Sequence, residues 1–421
     1  MEIGFLDFIT ALVNWGWVFL PILLFLAWQN LWMNYVKLKY DLSLNWVVLE
    51  IKIPQIVEKS PKVMEQIFTG LYSMRTGANL IEKYIHGKHQ PEISFEIASI
   101  EGEIHFFIRT PDVYTSLIRS QFHANYPDVD ISEVEDYTFN LPVEIPDEEY
   151  DSWGTELIFT KEDPYPIRTY KHFKEDIMMG FSGPDSSKGS FVDPIASLME
   201  VLAGVKEGEQ VWLHYMIRPA GDSWRKQGKD LIDKIMGKSS TKKSNFIVEE
   251  VFEFFQDMVG VLFGKVPPER DRNENKTTEE KKLTAGEIEA IKIIEESLSK
   301  HAFHTNIRML YIAKRDAFSA PTIPALLGTF NQFSTYNLNG FKPNGDVTPG
   351  VDYFFVKTRN YLRKRKLYRN ARRKLFTGKG IVLTVEELAT VYHMPSSIVE
   401  APSLPKVDNK KIQPPAGLPT I

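Results

Sequence analysis

Apolar residues repeat with a period of two along several stretches of the chain. Ile93–Ser99 (ISFEIAS) and Glu103–Arg109 (EIHFFIR) alternate on either side of Glu101-Gly102, which predicts two antiparallel strands around a tight turn. Trp46–Ile53 is a β-branched run ended by Pro54, and Ser60-Pro61 opens a helical pattern to about Met74. Thr110-Pro111-Asp112 starts a second helix to about Asn125, and Asp128–Val134 reads as a strand. The order β-α-β-β-α-β over residues 41–137 predicts a ferredoxin-like module.

A Pro- and acid-rich connection at Asn140–Tyr150 leads into a second module over 151–395. Strands are expected at Thr155–Thr160, Ile167–Phe173, Gln210–Arg218 and Thr305–Ala313, with helices launched by Asp193-Pro194 and over Pro324–Phe333. This too is a ferredoxin-like order, interrupted by a helical insertion at about 221–300. The insertion holds a basic helix near Trp224–Lys238, an amphipathic stretch at Phe246–Leu262, a charged linker at Pro267–Glu280, and a helix opened by the capping box Thr284-Ala285-Gly286-Glu287. Pro402, Pro405, Pro414, Pro415 and Pro419 make 396–421 an extended tail.

One segment departs from this soluble pattern. Phe8–Leu31 carries no formal charge and matches the ~20 residues that cross a ~30 Å hydrocarbon core. Trp15, Trp17, Trp28, Trp32 and Tyr35 are placed as headgroup anchors, and Lys37 and Lys39 follow the run. The expected class is therefore α+β, with a transmembrane anchor over residues 1–40 ahead of two ferredoxin-like modules. The expected topology is a single pass through the cell membrane, N-terminus outside and body cytoplasmic, with the lipid bilayer as a partner.

Composition adds exclusions. The 421 residues are 43% hydrophobic and 25% charged, with a formal net charge of −5 and no cysteine, so disulfides, thiolate catalysis and cysteine-ligated zinc are excluded. Gly237-Lys238-Ser239 ends like a phosphate loop, but Ile232 stands where its first glycine belongs. His86 with His89, and His301 with His304, lack convergent carboxylates in sequence, and no nucleophile elbow or metalloprotease motif is present. No catalytic residue, metal site or cofactor is expected.

The charge that does concentrate lies in Lys357–Lys374, KTRNYLRKRKLYRNARRK, a predicted helix with Tyr361, Leu362, Leu367 and Tyr368 interleaved. Its cations Arg359, Arg363, Lys364, Arg365, Lys366, Arg369, Arg372, Arg373 and Lys374 are candidates for contact with DNA or with anionic lipid; a solvated linker helix is the other reading.

The wording ISFEIASIEGEIHFFIRTP, QFHANYPDVDISEVEDY, FNQFSTYNLNGFKP, the basic helix and LTVEELATVYHMPSSIVEAP, in that order, resembles the membrane-proximal non-motor region of conjugation-type coupling ATPases of the FtsK/HerA class, found in candidate-phylum and Gram-positive bacteria. The resemblance spans about residues 45–405. In that family such a region precedes a RecA-like motor that moves DNA in type IV secretion; here QPPAGLPTI follows instead, so no ATPase residue carries over. The resemblance implies a membrane-anchored accessory or scaffold subunit of a DNA-translocation complex, partnered by a separate coupling ATPase or other secretion subunits, or by further copies of itself. A tethered nucleic-acid-binding module using 357–374 is the alternative.

Overall fold

A computed structural model of the chain describes residues 5–52, 59–173, 193–237 and 283–395. The Phe246–Leu262 stretch, the Pro267–Glu280 linker and the Pro-rich tail lie outside the described residues.

Nine strands form one mostly antiparallel sheet: β1 (Trp46–Lys52), β2 (Ile93–Ile100), β3 (Glu103–Pro111), β4 (Asp130–Val134), β5 (Tyr150–Phe159), β6 (Glu209–Pro219), β7 (Ala302–Lys314), β8 (Phe341–Pro343) and β9 (Ile381–Thr384). The order is β4-β1-β3-β2-β6-β7-β5-β8, and β9 pairs with the far end of β7. Two modules, each with its own sheet, were the expectation; instead β2 pairs with β6 from Ile93↔Ile217 to Ile100↔Gln210 and fuses the two halves. Both β2 and β6 are long and buried on both faces, so an unpaired edge at either would expose a row of backbone donors and acceptors. At the β2–β3 turn Glu101 and Gly102 both take positive φ, 53° and 90°, the backbone twist a two-residue antiparallel turn requires.

One sheet face is apolar. Phe95 and Ile97 of β2, Ile104, Phe106 and Ile108 of β3, Leu213 and Tyr215 of β6, and Ile307 and Met309 of β7 point to it. Helices α2 (Lys62–Leu71), α4 (Thr115–Asn125), α5 (Ala196–Ala203), α8 (Thr322–Thr329) and α10 (Val385–Val391) cover it, each with buried apolar residues in this core. Helix α10 is buried along its whole length and packs beside α2. Its Glu387 accepts from the Ile167 amide at 2.8 Å, and its Thr390 hydroxyl accepts from the Tyr170 amide at 3.0 Å. Those two side chains take the donors that a strand would need, and residues 167–173, expected as a strand, instead run as a loop into a helical turn.

The short α3 (Leu80–Tyr84) and the loop after it meet the first helix, α1 (Phe5–Ser43). Here the membrane expectation is corrected: among the described residues no helix is long and apolar enough to cross a membrane. The single-pass reading of Phe8–Leu31 falls, and with it the transmembrane segment of the fold class, the outside-to-inside topology built on Lys37 and Lys39, and the cell-membrane localisation. Leu23, Leu24, Phe25, Leu26 and Leu31 of α1 stand exposed, and the contacts with α3 and the loop after it come from a few residues nearer its C-terminal end. The Trp32 indole donates to the Tyr84 carbonyl at 2.8 Å and stacks on Trp28, Val36 is buried, and Asp41 pairs with His89 at 3.1 Å. Gly87, at φ +68°, has no alternative there, since a Cβ would stand 2.1 Å from the Val36 carbonyl oxygen. Lys37 and Lys39 are exposed, and the side chains of Trp15 and Trp17 lie outside those described.

Residues 164–166 and 221–300 form a separate compact unit. Its α6 (Ser223–Ile235) and α7 (Ala285–Leu298) share Leu231, Ile232 and Ile294. Thr284 caps α7 by accepting from the Glu287 amide, and Gly228 admits the Leu298 side chain, 2.4 Å from where a Cβ would be.

Candidate functional site, an arginine cleft over a buried charged row

The opposite face of the sheet is built differently. Register places Glu96 of β2 against His214 of β6, His214 against Arg308 of β7, and Arg308 against Glu156 of β5. These four residues form a straight row across adjacent strands, every one of them buried. Helix α9 (Val356–Arg372) lies over this face and is anchored by Leu367, Tyr368 and Ala371, which pack with Trp212, Leu310 and Ile312.

The row survives burial because it is paired. Arg308 donates to Glu156 from Nη2 at 2.7 Å and Nε at 3.1 Å, and to the carbonyls of Asn370 and Leu375 at 3.0 and 2.9 Å. It thereby caps the end of α9 from below, where unsatisfied carbonyls collect. Burial lowers the Arg308 pKa against the pull of Glu156, yet a guanidinium stays charged at neutral pH. At the other end Tyr137 donates to Glu96 at 2.6 Å, and its oxygen stands 2.8 Å from His214 Nε2. With the Tyr137 proton committed to Glu96, Nε2 carries the histidine proton and Nδ1 is a bare acceptor. Neither Nδ1 nor Glu96 Oε1 finds a partner among the described residues. Burial, followed by the positive charges of Lys374 and Arg308, holds the His214 pKa well below its ordinary value. Burial raises Glu96 despite Lys374.

Lys374 ends the basic stretch in a left-handed conformation, φ 51°, and turns its side chain inward. Its ammonium is 1% exposed, pairs closely with Asp136 and lies 3.8 Å from Glu96. Burial works to raise Asp136, but Lys374 and the Thr138 hydrogen bonds outweigh it and hold the carboxyl below its usual range.

The candidate cations are therefore split by their positions. Arg359 donates to the Tyr353 carbonyl at 3.3 Å, Arg363 to those of Gly345 and Thr348 at 2.9 and 2.7 Å, and Lys364 to both oxygens of Asp151 at 2.8 and 2.9 Å. Arg359 and Arg363 fasten α9 to neighbouring loops, and Lys364 fastens it to the start of β5. Lys366 lines a smaller cavity of about 200 Å³ with Glu156 and Thr377. The others converge: Arg365, Arg369, Arg372 and Arg373, joined by Arg109 from β3, line one cleft of about 600 Å³. Arg365 pairs with Glu144, and Arg372 donates to the Pro142 carbonyl at 2.6 Å. Arg369 and Arg373 make no side-chain hydrogen bond or ion pair with another described residue. Asp136 closes the floor of the cleft, and Trp46, Tyr368 and Phe139 supply aromatic walls. The Arg109 guanidinium stacks over Trp46 at 3.9 Å, while Phe139 stands 66% exposed at the rim.

Sequence reasoning singled out the helix and missed Arg109, Trp46, Phe139 and the buried row. The only signal of the row was a lone charged or histidine residue inside an apolar strand, as in Phe95-Glu96-Ile97, Leu213-His214-Tyr215 and Ile307-Arg308-Met309. Among the described residues no group of three or more histidines, aspartates and glutamates is placed to hold a metal ion. Five arginines against two carboxylates leave the cleft with a positive balance suited to a multiply charged anion.

A family model described as "Domain of unknown function (DUF8128)" matches residues 37–406, and the chain belongs to that family. No curated protein matches the chain.

Proposed function

We propose that this DUF8128 chain is a nucleic-acid-binding accessory module that holds a phosphate backbone in the arginine cleft beside α9. One observation carries the reading: Arg365, Arg369, Arg372 and Arg373 from α9 and its C-terminal end, together with Arg109 from β3, line one cleft, and Arg369 and Arg373 make no side-chain hydrogen bond or ion pair with another described residue. Planar guanidinium groups engage phosphate oxygens two at a time, and each phosphate neutralised releases bound counterions. The ordered resemblance to the non-motor region of coupling ATPases supports placing this binding next to a DNA-translocating motor.

The test is salt-dependent binding of the full chain to a labelled oligonucleotide. Four phosphate contacts to a single strand give a log–log slope near −3, and Arg369→Gln with Arg373→Gln flattens it by about 1.4, at roughly 0.7 per contact. No binding at low salt, or an unchanged slope in the double variant, rejects the reading. The accessory role is checked separately by a pull-down: recovery of neither a motor nor other secretion components counts against it.

A further inference from the structure

We infer that the site takes single-stranded rather than duplex nucleic acid, with unpaired bases stacked on an aromatic knuckle, Tyr353-Phe354-Phe355, at the head of the basic helix. This rests on the nucleic-acid reading and narrows its substrate.

The knuckle combines two costs that a surface loop has no need to bear. Its three rings are 65%, 80% and 83% exposed, a contiguous apolar protrusion where polar residues would be expected. Phe354 and Phe355 also both occupy the left-handed region, at φ 40° and 52°, where bulky side chains are rare and strain concentrates at functional positions. The loop is nonetheless held firmly. Asn360 of α9 accepts from the Gly350 and Val351 amides at 3.0 Å each, Val351 is buried, and Arg359 donates to the Tyr353 carbonyl while its guanidinium lies 5.0 Å from the Tyr353 ring centre. The helix thus presents the rings as a fixed platform.

Charge complementarity identifies the occupant. The knuckle opens directly onto Lys357 and Arg359, and α9 runs from it to the arginine cleft, where Phe139 offers another exposed ring with Arg372 5.5 Å from its centre. A 17-residue helix is roughly 25 Å long, within the reach of a strand of about 4–16 nucleotides. Cations alone bind duplex and single strands alike. Aromatic faces alternating with arginines bind bases, whose faces are accessible only when the strand is unpaired.

The experiment measures fluorescence anisotropy of the full chain with labelled oligo(dT), the same length of duplex DNA, and heparin as a baseless polyanion. The wild type is expected to bind oligo(dT) at least tenfold tighter than duplex. Phe354→Gly with Phe355→Gly, which keeps the left-handed backbone and removes the rings, is expected to weaken oligo(dT) binding at least tenfold and leave heparin binding within twofold. Equal affinity for duplex, or an unchanged affinity of the ring-less variant for oligo(dT), overturns the inference and leaves the arginine cleft standing. Failure of the wild type to bind either oligonucleotide instead removes the nucleic-acid reading itself. Because both rings are exposed, the variant folds as the wild type does, and its melting curve verifies this.

Discussion

The two faces of the nine-stranded sheet solve the same problem of burial with opposite chemistry. One face packs Phe, Ile, Leu and Tyr against five helices, and its stability is spread over many interchangeable contacts. The other lies under one basic helix and buries Glu96, His214, Arg308 and Glu156 in line, so its integrity depends on particular pairs. Apolar packing tolerates shape changes by partial relaxation, whereas a buried charge without its partner has no relaxed alternative. The charged face is also the one with a large cleft, which is where a protein places polarity it intends to use.

Removing one member of a buried pair should show the contrast at its strongest. Arg308→Ala leaves Glu156 uncompensated and the Asn370 and Leu375 carbonyls at the end of α9 unmet, a loss of about 3–5 kcal/mol in denaturant unfolding. Replacing both partners, Arg308→Met with Glu156→Leu, should recover part of that loss, because no buried carboxylate is left uncompensated, while the Asn370 and Leu375 carbonyls still lack their donor. If the double variant is no more stable than Arg308→Ala, the row is not held by pairing. The matched change on the apolar face is Leu388→Ala in α10, fully buried, with an expected cost of about 2–5 kcal/mol from lost contacts and the cavity left behind. No second substitution by an ionisable residue should rescue it.

How legible these faces were in the sequence follows from what each requires. The hairpin of β2 and β3 was readable because alternation and a Glu-Gly turn are local signals, and the capping box of Thr284 likewise depends on only four residues. The charged row was not, since residues 96, 156, 214 and 308 become neighbours only through the register of four strands. The edge between β2 and β6 was equally hidden: each strand reads as complete within its own half, and nothing local says that the halves share a sheet. For 167–173 the competing signal was side-chain chemistry 220 residues away, where Glu387 and Thr390 claim the backbone donors. The basic helix was legible as charge, but its division into fastening and cleft-lining cations depended on the carbonyls and carboxylates brought to it by the connection from 136 into the start of β5 and by the loop from 345 to 353.

The faces should also differ in the sign of their pH response. Burial depresses His214 far below its ordinary 6.5, so below that pH the unfolded chain takes up a proton that the native chain refuses. Stability on account of His214 is therefore full above 6.5 and falls as the medium is acidified. On the apolar face burial raises Glu387 from 4.5 to about 7, ahead of the opposing hydrogen bonds from Thr384 and Ile167. There the native chain keeps a proton that the unfolded chain releases, so its contribution is full below 4.5 and is lost as pH rises to about 7. Unfolding curves across pH 4–8 should show His214→Gln removing a loss on the acid side, and Glu387→Gln removing a loss on the alkaline side. The same sign for both variants would refute the assignment.

The smallest expected effect on stability is the most informative about function. Arg369 and Arg373 touch the cleft but pair with no described residue, and exposed charges away from a network usually change stability by no more than about 0.5 kcal/mol. Arg369→Gln with Arg373→Gln should therefore melt within a degree or two of the wild type, or slightly above it, because two like charges near Arg365, Arg372 and Arg109 repel one another. A positive cluster kept at a cost to the fold needs an anion to justify it. If the double variant instead melts many degrees lower, those arginines are structural like Arg308, and the cleft becomes an extension of the buried row rather than a place for a ligand.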